Sequence, residues 1–203
     1  MTTTKTSKKW YSIVLNILLD IIIVSLVALI ALFVIIAPVK IDGASMENTI
    51  KDGQMVATLR FAPSTYKVGD IVTIKVGNKI LIKRIVALEG ETIAFVNEGE
   101  NGICLYKEQG NTWIKTDESF IKEKSVYKDE LFDNITIYES VSEIDGGITI
   151  EDGKFFALGD NRNVSLDSRH YGQFDLNNIV SKMIFNISEN GFMNFVFTIF
   201  PSF

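Results

Sequence analysis

A lysine inside an apolar run and a serine among small residues are placed where they could do acid–base and nucleophilic chemistry. Lys83 stands in Ile80-Leu81-Ile82-Lys83-Arg84-Ile85-Val86-Ala87-Leu88. Strand alternation puts it on the face of Leu81, Ile85 and Ala87, with Arg84 on the opposite face. An amine among apolar neighbours loses hydration, which disfavours the charged form and lowers its pKa from ~10.4. Neutral, it can act as a general base. The alternative is an edge-strand lysine whose stem lies along the sheet while its ammonium reaches water and deters edge pairing. Ser45 lies in Ile41-Asp42-Gly43-Ala44-Ser45-Met46, where small residues leave room for a peptide backbone to approach the hydroxyl. Taken alone, the commoner role of such a serine is a turn or cap. The pair matters more than either member, because a Ser–Lys dyad needs no histidine and the scarcity of histidine is compatible with hydrolysis.

A third segment is Gly159-Asp160-Asn161-Arg162-Asn163-Val164-Ser165-Leu166-Asp167-Ser168-Arg169. It carries more hydrogen-bonding side chains than one turn needs. Asp160, Asn161 and Asp167 can close turns onto backbone amides, while Arg162 and Arg169 can pair with carboxylates and brace the loop. Without a partner segment this reads as a well-braced surface loop. The chain has one Cys (Cys104) and one His (His170), which excludes an internal disulfide framework, a multi-cysteine zinc site and an iron–sulfur cluster. No metal or cofactor is implied. A net charge of −5 with pI ≈ 5.0 argues against a nucleic-acid-binding surface.

The elements that must position these residues are mostly strands. Beyond Pro38 the sequence shows short apolar runs of period two or of β-branched character, cut by Gly and Asn. Val68 to Val76 and Lys79 to Leu88 flank Gly77-Asn78, a two-residue hairpin turn in which both residues tolerate positive φ. Further strands are expected at Gln54 to Leu59, Thr92 to Val96, Ile135 to Tyr138, Lys154 to Leu158 and Ile179 to Ile187. No amphipathic helix separates them, so the fold class is mostly β. Residues 97–150 are richer in Glu, Lys, Asn and Gly, with scattered aromatics such as Trp113 and Tyr127. They read as a variable insertion carried by the main sheet, with a semi-ordered loop as the open alternative.

The N-terminal part is different. The mean hydropathy of +0.21 is concentrated there. From Ile21 to Ala37 there are 17 residues of which only Ser25 is polar, and extension back to Ile13 adds Asn16 and Asp20. A helix over 13–37 is roughly 37 Å long, against a hydrocarbon core of about 30 Å. Asp20 belongs near the N-terminal interface, where Trp10 and Tyr11 serve as interfacial aromatics. Lys5, Lys8 and Lys9 precede the span without an acid, which favours a cytoplasmic N-terminus over residues 1–12. The competing reading, a cleavable signal peptide, has a shorter apolar core followed by small residues, whereas Pro38 follows Ala37 directly. A retained single-pass anchor in the cell membrane leaves 38–203 extracytoplasmic, with 17 basic and 24 acidic residues. The apolar stretch Phe192 to Phe203 is too short to span and suits membrane-surface contact.

These segments together resemble the bacterial type I signal peptidases, membrane-anchored serine proteases that cleave signal peptides from exported proteins. The matching pieces are the N-terminal span, Gly43-Ala44-Ser45-Met46-Glu47-Asn48-Thr49, Lys83-Arg84 with Gly90 following, and the loop from Gly159 to Arg169. The match runs in order from the anchor through Ser181, and the single short tail is similar to the Gram-positive type. The resemblance implies a signal-peptidase-like β domain with Ser45 as nucleophile and Lys83 as general base. It implies Ser165 as the group that orients the lysine, and Asp167, Arg169 and Arg84 as supports for the base strand and the loop. It also implies signal-peptide-bearing preproteins as partners beside the lipid bilayer, with small side chains before the cut. One departure is Asn48, where the family commonly has Pro, which fixes φ. Another is Gly43, where some relatives supply an oxyanion-binding serine hydroxyl, so the backbone amide of Ser45 is the donor this segment offers.

Three rivals remain at this stage. A self-cleaving, repressor-like Ser–Lys protease would carry a DNA-binding helical domain before the β region. A serine paired with His170 lacks an oriented acid partner in the sequence. A catalytically silent anchored β domain that binds or scaffolds exported proteins has only the missing proline in its favour.

Overall fold

Pro38 sets a boundary in the chain, because its ring removes a backbone donor and the residue before it avoids the helical region. In the computed structural model, helix α1 (Thr4–Ile35) ends three residues earlier and gives way to strand β1 (Ile36–Lys40). The helix therefore stops two residues short of the expected end at Ala37. The structure describes residues 4–47, 49–60, 65–121, 123–126, 131–132 and 135–187, with side chains from Trp10 onward except that of Phe33. Asn48, Tyr127 and the stretch from Phe192 to Phe203 lie outside the described residues.

The chain divides into two compact units, Met1–Ala37 and Pro38–Phe203. In the first, Trp10–Leu32 is apolar with a mean hydropathy of 2.9, and its side chains are not packed against protein. A helix apolar all round has no aqueous face, which is the condition expected of a segment solvated by lipid.

The second unit continues with β2 (Met55–Leu59), β3 (Ile71–Val76), β4 (Lys79–Leu88), β5 (Thr92–Asn97), β6 (Ile103–Gln109) and β7 (Thr112–Lys115). It is completed by β8 (Ile137–Tyr138), β9 (Ile148–Thr149), β10 (Lys154–Leu158), the single-turn helix α2 (Ser168–Tyr171), β11 (Phe174–Asp175) and β12 (Ile179–Asn186). Seven strands form one sheet in the order β1-β2-β12-β3-β4-β10-β11. A second sheet has the order β7-β6-β5-β8, with β9 also pairing β5. The architecture is thus mostly β, with one long helix among the described residues.

The β3–β4 hairpin pairs Val76 with Lys79 and Val72 with Lys83, and Gly77 turns with φ +58, a left-handed conformation that glycine adopts without steric cost. Opposite β10 the register slips: Phe156 faces Ala87, but its neighbour Ala157 faces Ile85. Val86 is the extra residue, a bulge, and it breaks strand alternation. Leu81 and Ile85 accordingly pack with Val72, Ile74, Phe155 and Ala157, whereas Ala87 joins Val86, Phe95, Leu105 and Phe156 in the core shared with the second sheet. The expected common face of Lys83, Leu81, Ile85 and Ala87 therefore holds only as far as Ile85. Residues 97–150 contribute β6 to β9, so this region builds most of the second sheet.

Candidate active site

The segment around Ser45 is shaped by two apolar residues four apart. Met46 and Ile50 are fully buried against Ile41, Val56 and Ile71, and the Ile50 amide donates to the Met46 carbonyl at 2.8 Å. One helical turn with its apolar side inward leaves Ser45 half-buried at its start. Before it, Gly43 takes φ +102, and its amide donates to Asp52 Oδ1 at 2.9 Å. The Ser45 carbonyl accepts the Asn161 amide at 3.0 Å, which ties the turn to the loop after β10.

Lys83 is 2% exposed, and its Nζ donates to Ser45 Oγ at 2.9 Å. The edge-lysine alternative required the amine to reach water, which this burial excludes. Loss of hydration lowers the Lys83 pKa from 10.5 to about 8. The charge of Asp167, and more weakly that of Asp160, opposes the shift, while Arg169 adds to it. The hydrogen-bond partner of Ser45 Oγ is thus this amine. His170 sits on α2 with its ring edge-on to Tyr171, 4.8 Å between centroids.

Two arginine–carboxylate pairs flank the dyad. Arg84 grips Asp160 with Nε to Oδ1 at 2.8 Å and Nη2 to Oδ2 at 2.6 Å, and it donates to the Gly69 carbonyl at 3.0 Å. Thr49 Oγ1 donates to the same carboxylate. Asp160 therefore binds the base strand, where the sequence suggested that it closes a turn onto backbone amides. Asp167 and Arg169, both fully buried, pair at 2.9 and 3.0 Å. Asp167 also accepts the Gly159 amide at 3.0 Å and caps α2 through the Arg169 amide at 3.2 Å. Burial alone would raise the Asp167 pKa, but the Arg169 guanidinium, by charge and hydrogen bond, and the Gly159 amide hold it below the ordinary carboxylate range.

Ser165 lies beside this cluster, 1% exposed, and its hydroxyl makes no hydrogen bond of ordinary geometry, although it is near enough to Asp167 to favour that group's charged form. No bond joins it to Lys83 here. Gly159 explains how the pieces fit so closely: a Cβ there would meet the Ser45 carbonyl oxygen at 2.5 Å and collide with the Ser165 side chain. The sequence names Gly159 only as the start of a loop. Thr49 also stood in a quoted motif, without a sign that it would reach Asp160 across 111 residues of chain.

One open cavity, about 410 Å³, does not contain the dyad. It is lined by Val68, Arg84, Leu105, Ile114 and Phe120 among others, on the side of β4 away from Lys83. The contact of a buried amine with a hydroxyl lies outside this cavity, and it is this geometry that marks the candidate site.

Comparison with known proteins identifies a family for the chain. Residues 14–187 match the family described as signal peptidase, peptidase S26. Signal peptidase I V of Bacillus subtilis (strain 168) is 34% identical over 145 residues, covering 70% of this chain and 79% of the relative. Signal peptidase IB of Staphylococcus aureus (strain Mu50) is 30% identical over 177 residues, 83% of this chain and 88% of the relative. A crystal structure of a signal peptidase I from Enterococcus faecalis V583 matches with a TM-score of 0.39 and 20% identity over 61% of this chain and 100% of that one.

Proposed function

The chain belongs to the signal peptidase family, peptidase S26, and from that premise we propose that it cleaves signal peptides from exported preproteins with Ser45 as nucleophile and Lys83 as general base. The observation that carries the assignment is the 2.9 Å hydrogen bond between a buried amine and the Ser45 hydroxyl. An amine with a pKa of about 8 is partly neutral near pH 7, and in that form it can accept the hydroxyl proton.

In the acylation step, Lys83 takes the Ser45 proton as Oγ attacks the scissile carbonyl. The Ser45 amide, which donates to no other described residue, is the oxyanion donor. Lys83 then gives its proton to the leaving amine. In deacylation it removes a proton from water, the hydroxide displaces Ser45 Oγ from the acyl carbon, and the proton returns to Oγ. Ser165, with its free hydroxyl next to Asp167, is the group that orients the amine as it changes charge. Arg84, Asp167 and Arg169 hold the strand and loop that carry these groups.

The membrane anchor over 13–37 is carried by helix α1 as far as Ile35, with residues 1–12 cytoplasmic and 38–203 extracytoplasmic. The three lysines before the span, without an acid, support that orientation. A substrate whose own apolar segment lies in the same bilayer meets the enzyme at raised effective concentration, without further contacts. The acidic balance of 38–203 argues against nucleic acid as a partner. A silent binding domain is not favoured, since a scaffold has no use for an amine held dry against a serine.

The test is precursor cleavage by the full chain in lipid. Ser45→Ala and Lys83→Met each lower kcat by at least ~10³-fold, as expected when one member of a nucleophile–base pair is lost. Near wild-type cleavage by either variant overturns the assignment.

A further inference from the structure

The second sheet sends one short segment back to the catalytic side. After β7, Thr116 bonds the Leu105 carbonyl of β6 through both its amide and its hydroxyl at 3.0 Å. Asp117 closes a turn onto the Ser119 amide at 3.1 Å, and the Ile121 amide donates to the Glu118 carbonyl at 2.9 Å. The turn so fixed presents two side chains in different directions. Glu118 forms an ion pair with Arg162, engaging both Nη atoms, in a place where Arg162 is 3% exposed. Phe120 lies flat against the guanidinium of Arg84, 4.2 Å from its ring centroid.

Both arginines act on the dyad's surroundings. Arg162 Nε donates to the Gly159 carbonyl at 3.2 Å, and Arg162 follows Asn161, whose amide holds the Ser45 carbonyl. Arg84 follows Lys83 on β4 and holds Asp160. One turn therefore touches the cation that fixes the nucleophile's loop and the cation that fixes the base strand. A buried guanidinium needs a carboxylate, and within the described residues Glu118 is the only one paired with Arg162.

We infer that Glu118 and Phe120 are positioning residues for the reaction, through which the second sheet sets the distance between Ser45 and Lys83. The inference rests on the dyad assignment above. Removing Glu118 leaves Arg162 free to swing, relaxes the Gly159 carbonyl and lets the Ser45 backbone drift from the amine. A displacement of ~1 Å at reacting atoms is enough to lower a rate by as much as ~100-fold. The effect falls on kcat, because both side chains act through Arg162 and Arg84 on the alignment of Ser45 and Lys83.

The experiment measures precursor cleavage by the full chain in lipid, with kcat expressed per Ser45 that a serine-directed acylating inhibitor can label. Glu118→Ala is expected to lower kcat about tenfold with KM within about twofold, and Phe120→Leu about threefold. Glu118→Gln, which keeps the shape and two hydrogen-bonding atoms, should restore part of the loss. Lys107→Ala, which breaks an ion pair with Glu91 elsewhere in the second sheet, should leave kcat unchanged. Unchanged kcat in Glu118→Ala overturns the inference, as does a loss seen only in KM, a loss that vanishes per labelled site, or an equal loss in Lys107→Ala. Cleavage that survives in a Ser45→Ala control instead overturns the dyad reading on which it rests.

Discussion

Two lysines in different sheets have moved in opposite directions. Lys83, in the main sheet, is dry, bonds a neutral hydroxyl, and has its pKa lowered to about 8. Lys115, in the second sheet, is half-exposed and bonds Glu98 at 2.8 Å, which raises its pKa well above the usual lysine range. Glu98 answers with a pKa lowered to about 2, held there by Lys115 and by the Tyr106 hydroxyl. The chemistry of an amine thus follows from what replaces its lost water. A carboxylate in direct contact fixes the charge, and a hydroxyl in a dry pocket releases it. The acids that act on Lys83, Asp160 and Asp167, are each already engaged by an arginine, so neither locks the amine in its charged form.

The largest consequence of this contrast is for stability. Unfolded Lys83 titrates near 10.5 and folded Lys83 near 8, so between these values the unfolded chain binds more protons and stability rises with pH. The gap corresponds to about 3 kcal/mol of destabilisation that is fully present below pH 8 and gone above 10.5. Lys83→Met should therefore be the more stable protein at pH 7. Its advantage in chemical denaturation should shrink steadily from pH 8 to 10.5, and an advantage independent of pH would contradict the dry-amine picture.

Next in size is the rate itself. The neutral fraction of Lys83 falls tenfold for each pH unit below about 8. A plot of log kcat/KM against pH should have an acid limb of unit slope that bends near that value, provided the precursor carries no titrating group near its cleavage site. A bend near 10.5 would mean a solvated lysine.

The smallest effect belongs to the second sheet. The lowered Glu98 pKa gives stability that is present above 4.5 and lost as pH falls toward 2. Because its partner is half-exposed, Glu98→Gln should cost no more than ~1 kcal/mol at pH 7, should matter less in high salt, and should leave kcat alone. A larger loss, measured by thermal unfolding at two salt concentrations, would place this pair among the main supports of the sheet.

The contrast also marks what the sequence could reveal. β4 and β10 were legible to the residue, because apolar runs bounded by glycine turns are a local signal. Lys83 and Ser45 were legible as a pair, since an amine in an apolar run and a serine among small residues are each unusual. The bulge at Val86 was not, because register depends on the partner strand. β6, β7 and β9 were hidden by a polar composition: Tyr106 and Lys115 pair on the face opposite Ile103 and Leu105, and Glu98 bonds both of them. Glu118 and Phe120 had no local mark, for their partners lie 44 and 36 positions away in the chain.

Gly159 carries one more consequence. With no side chain between them, two stretches of main chain touch, and the nucleophile is steadied by its neighbour as well as by its own turn. The turn that carries Ser45 therefore draws rigidity from the loop after β10. A single methyl group added at Gly159 would wedge the two strips apart, so one absent carbon atom guards their alignment.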